Sequence, residues 1–292
     1  MKKEKKIKFG IPSGTLKDSL EKLFKEAGYN FEINEKSSMV YIDDPEIDCF
    51  FGRAKEIASL IKEGFLDGGV LSEVAIAEDK AKLIKIGDLG SLYPGVETKI
   101  VLAVPEKSSI KSPKDLKGKK IITQVPGITK EFLKKNKISA NVEFLDASNE
   151  SRVPVLADAL VGFTNTGATL KFFKLKKIAV LMKDAVIIGA NEKSLKDKWK
   201  KEKIENLAML LGGVRVAQEY AGLMLHASND MMEYVLEILP ALKKPTVTQL
   251  RGENWFDVLT VANKKEIRKI IPKLKRIGCT DIVEFPLNKV VV

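Results

Sequence analysis

The sequence predicts an α/β protein of two lobes, followed after residue 213 by a separate α+β domain. Three observations carry this. Short apolar runs pass through small-residue turns into helically spaced apolar positions, first at Ile7–Ile11, Pro12-Ser13-Gly14 and Thr15–Ala27. The pattern restarts around Thr98–Pro105 and the chain returns to the first set at Ala185–Ile188, so two lobes are joined by two crossings, the layout of a hinged cleft. Beyond the long helix Glu202–Gln218 the order is strand, helix, strand, strand, helix, strand in roughly 70 residues, which is the ferredoxin-like order.

In chain order, Leu16, Leu20, Leu23, Phe24 and Ala27 share one helix face, and Gly28 stops the helix. Tyr41–Glu46 reads as a turn, Ile47–Gly52 as a buried strand, and Ala54–Glu63 as a helix stopped by Gly64. Arg53 stands where strand becomes helix, the end of an open α/β sheet at which ligands gather; an anion clamp and a surface salt bridge are both open to it. Asp67-Gly68-Gly69-Val70-Leu71 repeats the pattern, its glycines allowing close backbone approach. In the second lobe a short helix starts at Ser112–Leu116. The strand Lys119–Thr123 follows, its end running through Gln124–Thr129 into another helix, and then come Val142–Leu145 and Ser148-Asn149-Glu150. Ile204, Leu207, Ala208, Leu211 and Val214 form one stripe on the long helix. The last domain reads as strand Ala221–Ala227, helix Asp230–Ile238, strands Thr246–Leu250 and Trp255–Ala262, helix Lys264–Ile277 and strand Asp281–Pro286.

The stretch Leu156–Leu170, L-A-D-A-L-V-G-F-T-N-T-G-A-T-L, is the candidate binding element. The apolar run Ala159–Phe163 gives way to small hydroxylated residues around Gly167 and then to helix-compatible Ala168-Thr169-Leu170. Backbone N–H groups of such a loop and of the first helical turn converge on one spot, and Thr164, Thr166 and Thr169 add hydroxyl donors, as a phosphate site requires. A strand-to-helix turn capped by threonine fits the same residues.

Composition narrows the function classes. The chain has 292 residues, 45% hydrophobic and 30% charged, which is ordinary for a folded soluble protein. No run reaches the roughly 18 apolar residues of a membrane helix, and the basic start leads into a strand instead of a signal core, so no membrane role and a cytoplasmic location are expected. Two separated cysteines, Cys49 and Cys279, and one histidine, His226, argue against a disulfide framework or a His/Cys metal site. The formal charge of +11 could suit an anionic partner. The lysines, however, are scattered through amphipathic segments such as Leu195–Lys203 without stacking aromatics, so a solvated surface is expected and nucleic-acid binding is not.

Several segments together resemble one enzyme family. Gly10–Gly28, Ile42-Asp43-Asp44-Pro45-Glu46, Arg53-Ala54, the T-x-T-G-x-T-L stretch, Lys203–Leu207, Leu239–Thr246 and Gly278–Lys289 occur in the order found in ATP phosphoribosyltransferases of histidine biosynthesis, long form. The resemblance implies a periplasmic-binding-protein-like bilobal core, lobe I at 1–103 and 183–213 and lobe II at 104–182, and a regulatory histidine-binding domain at 214–292. It implies joining of ATP N1 to the ribose of phosphoribosyl pyrophosphate with release of pyrophosphate, Mg2+ travelling with the donor, feedback inhibition by histidine, and assembly as a homo-oligomer, dimer or hexamer. Carried onto this sequence, Ser13, Gly14 and the loop Thr164, Asn165, Thr166, Gly167, Ala168 and Thr169 would bind substrate, Arg53 and Glu150 would line the catalytic cleft, and Leu242 and Thr246 match the segment that carries the histidine pocket. Nothing carries over to His226.

The sequence also departs from the family pattern. Ser13 replaces the usual lysine, Gly162 stands where an acidic residue would face the ribose hydroxyls, and Gly69–Val74 lacks a second glycine and an aspartate. A second reading is therefore a catalytically weakened or inactive paralogue acting as a ligand-binding or regulatory subunit.

Overall fold

In a computed structural model the repeated strand–turn–helix runs become two five-stranded sheets and a third, smaller domain; residues 5–14, 16–34, 39–91, 97–146, 150–153, 155–252 and 254–291 are described. The chain runs through β1 (Ile7–Pro12), α1 (Lys17–Ala27), β2 (Phe31–Asn34), β3 (Met39–Ile42), β4 (Ile47–Gly52), α2 (Ala54–Glu63), β5 (Gly68–Ser72), α3 (Glu73–Asp79) and β6 (Ile84–Gly90). Then follow β7 (Thr98–Pro105), β8 (Lys120–Thr123), α4 (Pro126–Lys135), β9 (Asn141–Phe144), β10 (Ala159–Thr164), α5 (Ala168–Phe172), β11 (Leu175–Asp184), β12 (Val186–Ala190) and the long α6 (Lys198–Glu219).

The first sheet has the order β4-β1-β5-β12-β6, its first three strands parallel and β12 antiparallel to both neighbours. Gly10 and Gly69 face each other in it, and a Cβ on Gly69 would stand 2.7 Å from the Gly10 carbonyl oxygen, so the close approach expected of the Gly68-Gly69 stretch is, at Gly69, a backbone contact between β1 and β5. The second sheet runs β11-β7-β10-β8-β9, with β10, β8 and β9 parallel and β7 antiparallel to both β10 and β11. Because β7 and β11 lie wholly in the second sheet, the expected lobe divisions at 103/104 and 182/183 fall inside strands. The chain changes sheet between Gly90 and Thr98 and again at Ala185.

Other expectations shift as well. Tyr41 and Ile42 belong to β3 of an unanticipated hairpin, whose β2 pairs Phe31 with Ile42. The segment Gln124–Thr129 is not strand end: Pro126, fitted to a first helical turn, opens α4 there. The amphipathic segment Leu195–Lys203 and the helix expected at Glu202–Gln218 merge into α6, which begins at Lys198, because the Asp197 carboxylate accepts from Trp199 N and Lys200 N and caps its start. The helix start at Thr15 and the residues Ser148-Asn149 lie outside the described residues.

Two charged knots hold the first sheet. Asp67, 5% exposed, accepts from Lys8 N at 2.9 Å, Ser194 Oγ at 2.6 Å and Lys200 Nζ at 2.7 Å, joining β1, β5 and the start of α6. Lys203 of α6 donates to Asp44 Oδ2 at 2.7 Å and to Glu46 Oε2, so two segments distant in sequence, Asp44-Pro45-Glu46 and Lys203–Leu207, meet in space. Burial pushes the Lys203 ammonium down, but its bonds to Asp44 and Glu46 outweigh that and raise it. This stabilisation is therefore present throughout the neutral range and fades only as pH climbs through the raised value. Lys203→Met is expected to lower stability by about 1–3 kcal/mol, read as a drop in Tm at neutral pH; an unchanged Tm would remove this knot from the account.

The lobes touch through α3 and α4. Val74 packs in the core of the second sheet with Ile100, Leu102 and Ile128. Glu78 accepts from Gly127 N at 2.8 Å and from Ile128 N at 2.9 Å, filling the cap that Val125 cannot supply.

By contact the chain parts into two compact units, Met1–Lys25 with Tyr29–Ala208, and Glu26–Gly28 with Met209–Val292. The second starts within α6, a few residues before the expected 214. It contains β13 (Tyr220–Ser228), α7 (Met232–Ile238), β14 (Thr246–Gln249), β15 (Trp255–Asn263), α8 (Lys264–Arg276) and β16 (Thr280–Pro286). Its antiparallel sheet, β14-β15-β13-β16, is the ferredoxin-like arrangement. Leu223, Leu225, Val258, Ile267 and Leu274 make a core of its own.

Candidate active site

β10 ends at Thr164, and the chain turns through Asn165 and Thr166 to Gly167, whose φ of +82° is the left-handed conformation that only glycine adopts without strain. Gly167 is the N-cap of α5 and contributes no side-chain cap; the Thr166 hydroxyl reaches Ala168 N only at 3.4 Å. A threonine cap is thus at best a weak part of this turn. Phe163 to Thr169 line an open concavity of about 400 Å3, and a Cβ added at Gly167 would meet nothing within 4 Å. All six predicted loop residues, Thr164 to Thr169, are brought together here.

A second concavity, of about 440 Å3, is lined from both lobes: by Ser13, Ala54, Ser72 and Gly90 on the first-sheet side, and by Thr98, Phe163, Asn165 and Asp184 on the other. Phe163 and Asn165 line both concavities, so the loop forms one wall of the cleft. Ser13 lies in the cleft, and Gly14 beside it takes a φ of +92°. Ser72 lines it too, while capping α3 by accepting from Ala75 N at 3.0 Å.

The two predicted catalytic residues are placed less centrally. Arg53 occupies the N-cap position of α2, next to cleft-lining Ala54; it is exposed and forms no salt bridge with another described residue. Glu150 opens a 3-10 turn, Glu150–Arg152, and lines neither concavity. Leu242 and Thr246 sit in the ferredoxin-like unit on either side of a short connection. Leu242 N donates to Val261 O at 2.9 Å and Thr246 pairs with Leu259, both side chains exposed. On that sheet His226 Nδ1 lies 3.0 Å from Asp281 Oδ2 and Nε2 lies 3.9 Å from Asp257 Oδ1. Burial pushes the Cys49 thiol up to about 12, which leaves it protonated and unreactive at neutral pH.

Sequence reasoning missed Asp184. It ends β11 at the return crossing and lines the cleft, where its Oδ1 accepts from Val74 N at 3.1 Å. Burial raises its carboxyl to about 6, against the Val74 hydrogen bond and with the negative charge of Glu73 adding to the rise.

With this geometry in hand, comparison with known proteins is decisive. The family model for ATP phosphoribosyltransferase matches residues 53–213, and that for the HisG C-terminal domain matches residues 217–289. The chain belongs to the ATP phosphoribosyltransferase family. It has the long form of that family, and it is a pentosyltransferase by class. An ATP phosphoribosyltransferase of Thermodesulfovibrio yellowstonii is 39% identical over 99% of both chains. One from Chlorobium phaeobacteroides is 39% identical over 98% of this chain and 97% of its own. Among solved structures, the Thermotoga maritima ATP phosphoribosyl transferase (HisG:HisZ) complex superposes with a TM-score of 0.59 at 24% identity, covering 70% of this chain and 98% of that one, a likeness of fold.

Proposed function

We propose that this family member joins N1 of ATP to the ribose of phosphoribosyl pyrophosphate in the cytoplasm, releasing pyrophosphate as the first step of histidine biosynthesis, and that histidine inhibits it through the C-terminal unit. The observation that carries the reading is the shared wall: the Thr164–Thr169 loop opens on its own concavity and, through Phe163 and Asn165, on the cleft. A sugar phosphate on the loop would hold its ribose at the cleft edge, within reach of a base in the cleft. Arg53, exposed beside Ala54 and without an ion pair among the described residues, suits the pyrophosphate, whose charge grows as it leaves. Glu150 is assigned to the cleft by resemblance alone. The assembly proposed is a homo-oligomer, dimer or hexamer.

Mg2+ enters this reading as part of the donor substrate. Among the described residues no three His, Cys, Asp or Glu side chains gather into a metal cluster, so the pyrophosphate oxygens would supply most of its ligands. The histidine pocket is assigned to the segment holding Leu242 and Thr246. The test is pyrophosphate release from ATP and phosphoribosyl pyrophosphate with Mg2+, repeated with added histidine. Turnover that needs both substrates and falls with histidine is expected, and no release would reject the reading.

Gly162 favours a second reading, the weakened paralogue. It is buried in β10 opposite Val101, and no carboxylate stands there to accept from ribose hydroxyls. A Cβ at this position would lie 3.2 Å from Leu160 Cδ1, the movable end of a side chain, so the first atom of a larger residue is admitted with a small adjustment. A charge-assisted hydrogen bond of this kind is worth about 1.5–3 kcal/mol. Gly162→Glu is therefore expected to lower the donor's KM about tenfold or more. A slower enzyme with unchanged KM would show that another group already holds the hydroxyls.

A further inference from the structure

Asp184 is the one ionisable side chain among the described residues lining the inter-lobe cleft; the other polar groups there, such as those of Ser13, Ser72, Thr98 and Asn165, are neutral. Its Oδ1 accepts from Val74 N at 3.1 Å, while Glu73 N donates to the neighbouring Ala185 carbonyl oxygen at 2.9 Å. A carboxylate offers about four acceptor sites, so a place is left for a donor from the cleft. An anion there would be repelled, which sends phosphate groups to the Thr164–Thr169 loop and to Arg53 and leaves the cleft floor for the part of a substrate that carries N–H.

On the transferase reading, on which this inference rests, that part is the adenine ring. We propose that Asp184 accepts a hydrogen bond from the 6-amino group of ATP and offsets the positive charge the ring acquires when it reacts. In that step the N1 lone pair forms the bond to the ribose carbon, the bond from that carbon to the pyrophosphate oxygen breaks, and the leaving group keeps the electron pair. The adenine then carries one positive charge, shared between N1 and the amino nitrogen, beside a carboxylate that stays ionised; no proton has to move. The stabilisation grows with the charge and so acts on the transition state more than on bound ATP.

The pH dependence follows from the same placement. The charged groups on the surrounding elements are Glu73 on α3, Lys85 and Asp88 on β6, Glu97 and Lys99 at the start of β7, and Lys183 beside Asp184 itself. Lys85 is engaged by Glu73 and Asp88, and Lys99 and Lys183 by Glu97, so none of these lysines is committed to Asp184. With its carboxyl raised to about 6, Asp184 loses its charge as pH falls through that value.

The experiment compares, by calorimetry, ATP with its 6-deamino analogue, which keeps N1. The intact protein at about pH 8 is expected to prefer ATP about tenfold or more, and the preference is expected to shrink to within about threefold at about pH 5. Asp184→Asn keeps an oxygen for Val74 N but no charge, and is expected to show only that residual preference at both pH values, with a lower kcat and an unchanged Kd for phosphoribosyl pyrophosphate. A preference that survives both acid and Asp184→Asn overturns the proposal. So does no preference in the intact protein at about pH 8, and since that series needs no variant, it decides even if Asp184→Asn does not fold. A protein that turns over ATP without discriminating loses only the Asp184 assignment, whereas one that binds neither nucleotide and releases no pyrophosphate loses the transferase reading as well.

Discussion

Gly167→Val should weaken binding of phosphoribosyl pyrophosphate by about a hundredfold or more while the protein stays folded. The backbone at this position has a φ of +82°, where a β-branched residue is strained by about 1–2 kcal/mol or more. A Cβ at this position meets no protein atom within 4 Å, and the loop that carries it lines an open concavity, so the fold has room for the side chain. On the proposed reading the cost falls on the ligand: a turn that rotates away from the αL conformation would no longer present its N–H groups to the phosphate, and the new methyls would crowd it. About two such charge-assisted contacts, at about 1.5 kcal/mol each, already give a hundredfold. Calorimetry on the folded variant, with circular dichroism as the control, decides it. Affinity within about threefold of the parent would take the donor off this loop.

The largest stability effect is expected at Asp67. Asp67→Ala removes the acceptor of three bonds at once and strands Lys8 N, Ser194 Oγ and the Lys200 ammonium at a site where the aspartate is only 5% exposed. Breaking a buried, hydrogen-bonded ion pair from one side costs about 3–5 kcal/mol; Lys200, partly open to solvent, recovers some hydration, so about 3 kcal/mol is expected. For a unit of this size that is a drop of roughly 6–12 °C in Tm. Burial pushes the Asp67 carboxyl up, but its bonds to Lys200, Ser194 and Lys8 N more than reverse this and hold it below the ordinary value. A depressed carboxyl stabilises the folded state above its unfolded pKa and loses that contribution as pH falls through the folded one. The gap in Tm between parent and Asp67→Ala should thus be full at neutral pH and narrow below about pH 4. A gap that is constant across this range would mean that the variant fails through packing and not through charge.

What could be read from sequence depended on how regular each element is. β10 and its loop were legible because an uninterrupted apolar run meets Gly167 abruptly, and the ferredoxin-like unit because its strands keep the two-residue alternation that buries Leu223 and Leu225 while Met224 and His226 stay partly open. β11 was not legible. Its pairing with β7 slips between Lys177 and Ala179 and again between Val180 and Met182, and each bulge breaks the alternation that would have announced a strand. β6 hides for the same reason, with two slips against β12. Losing β11 also hid Asp184, whose importance lies in ending that strand at the cleft, and no local motif marks it. Arg53 was singled out from its strand-to-helix position, and the structure places it at the N-cap of α2. Glu150 came from resemblance only, and the turn that holds it lines neither concavity.

The contact of Glu78 with the start of α4 bears on how the cleft can open. Prising α3 from α4 would break two charge-assisted bonds, at least about 3 kcal/mol, and so make that movement about a hundredfold less populated than one that spares them. The lobes should then rock about this point as about a fulcrum, with the loop at Thr164–Thr169 on the lever arm that travels. Gly127 sets how tight the fulcrum is: a Cβ there would stand 2.9 Å from Glu78 Oε2 and 3.1 Å from the Glu78 carbonyl oxygen, so alanine would oblige the Glu78 side chain to shift and loosen its hold on the start of α4.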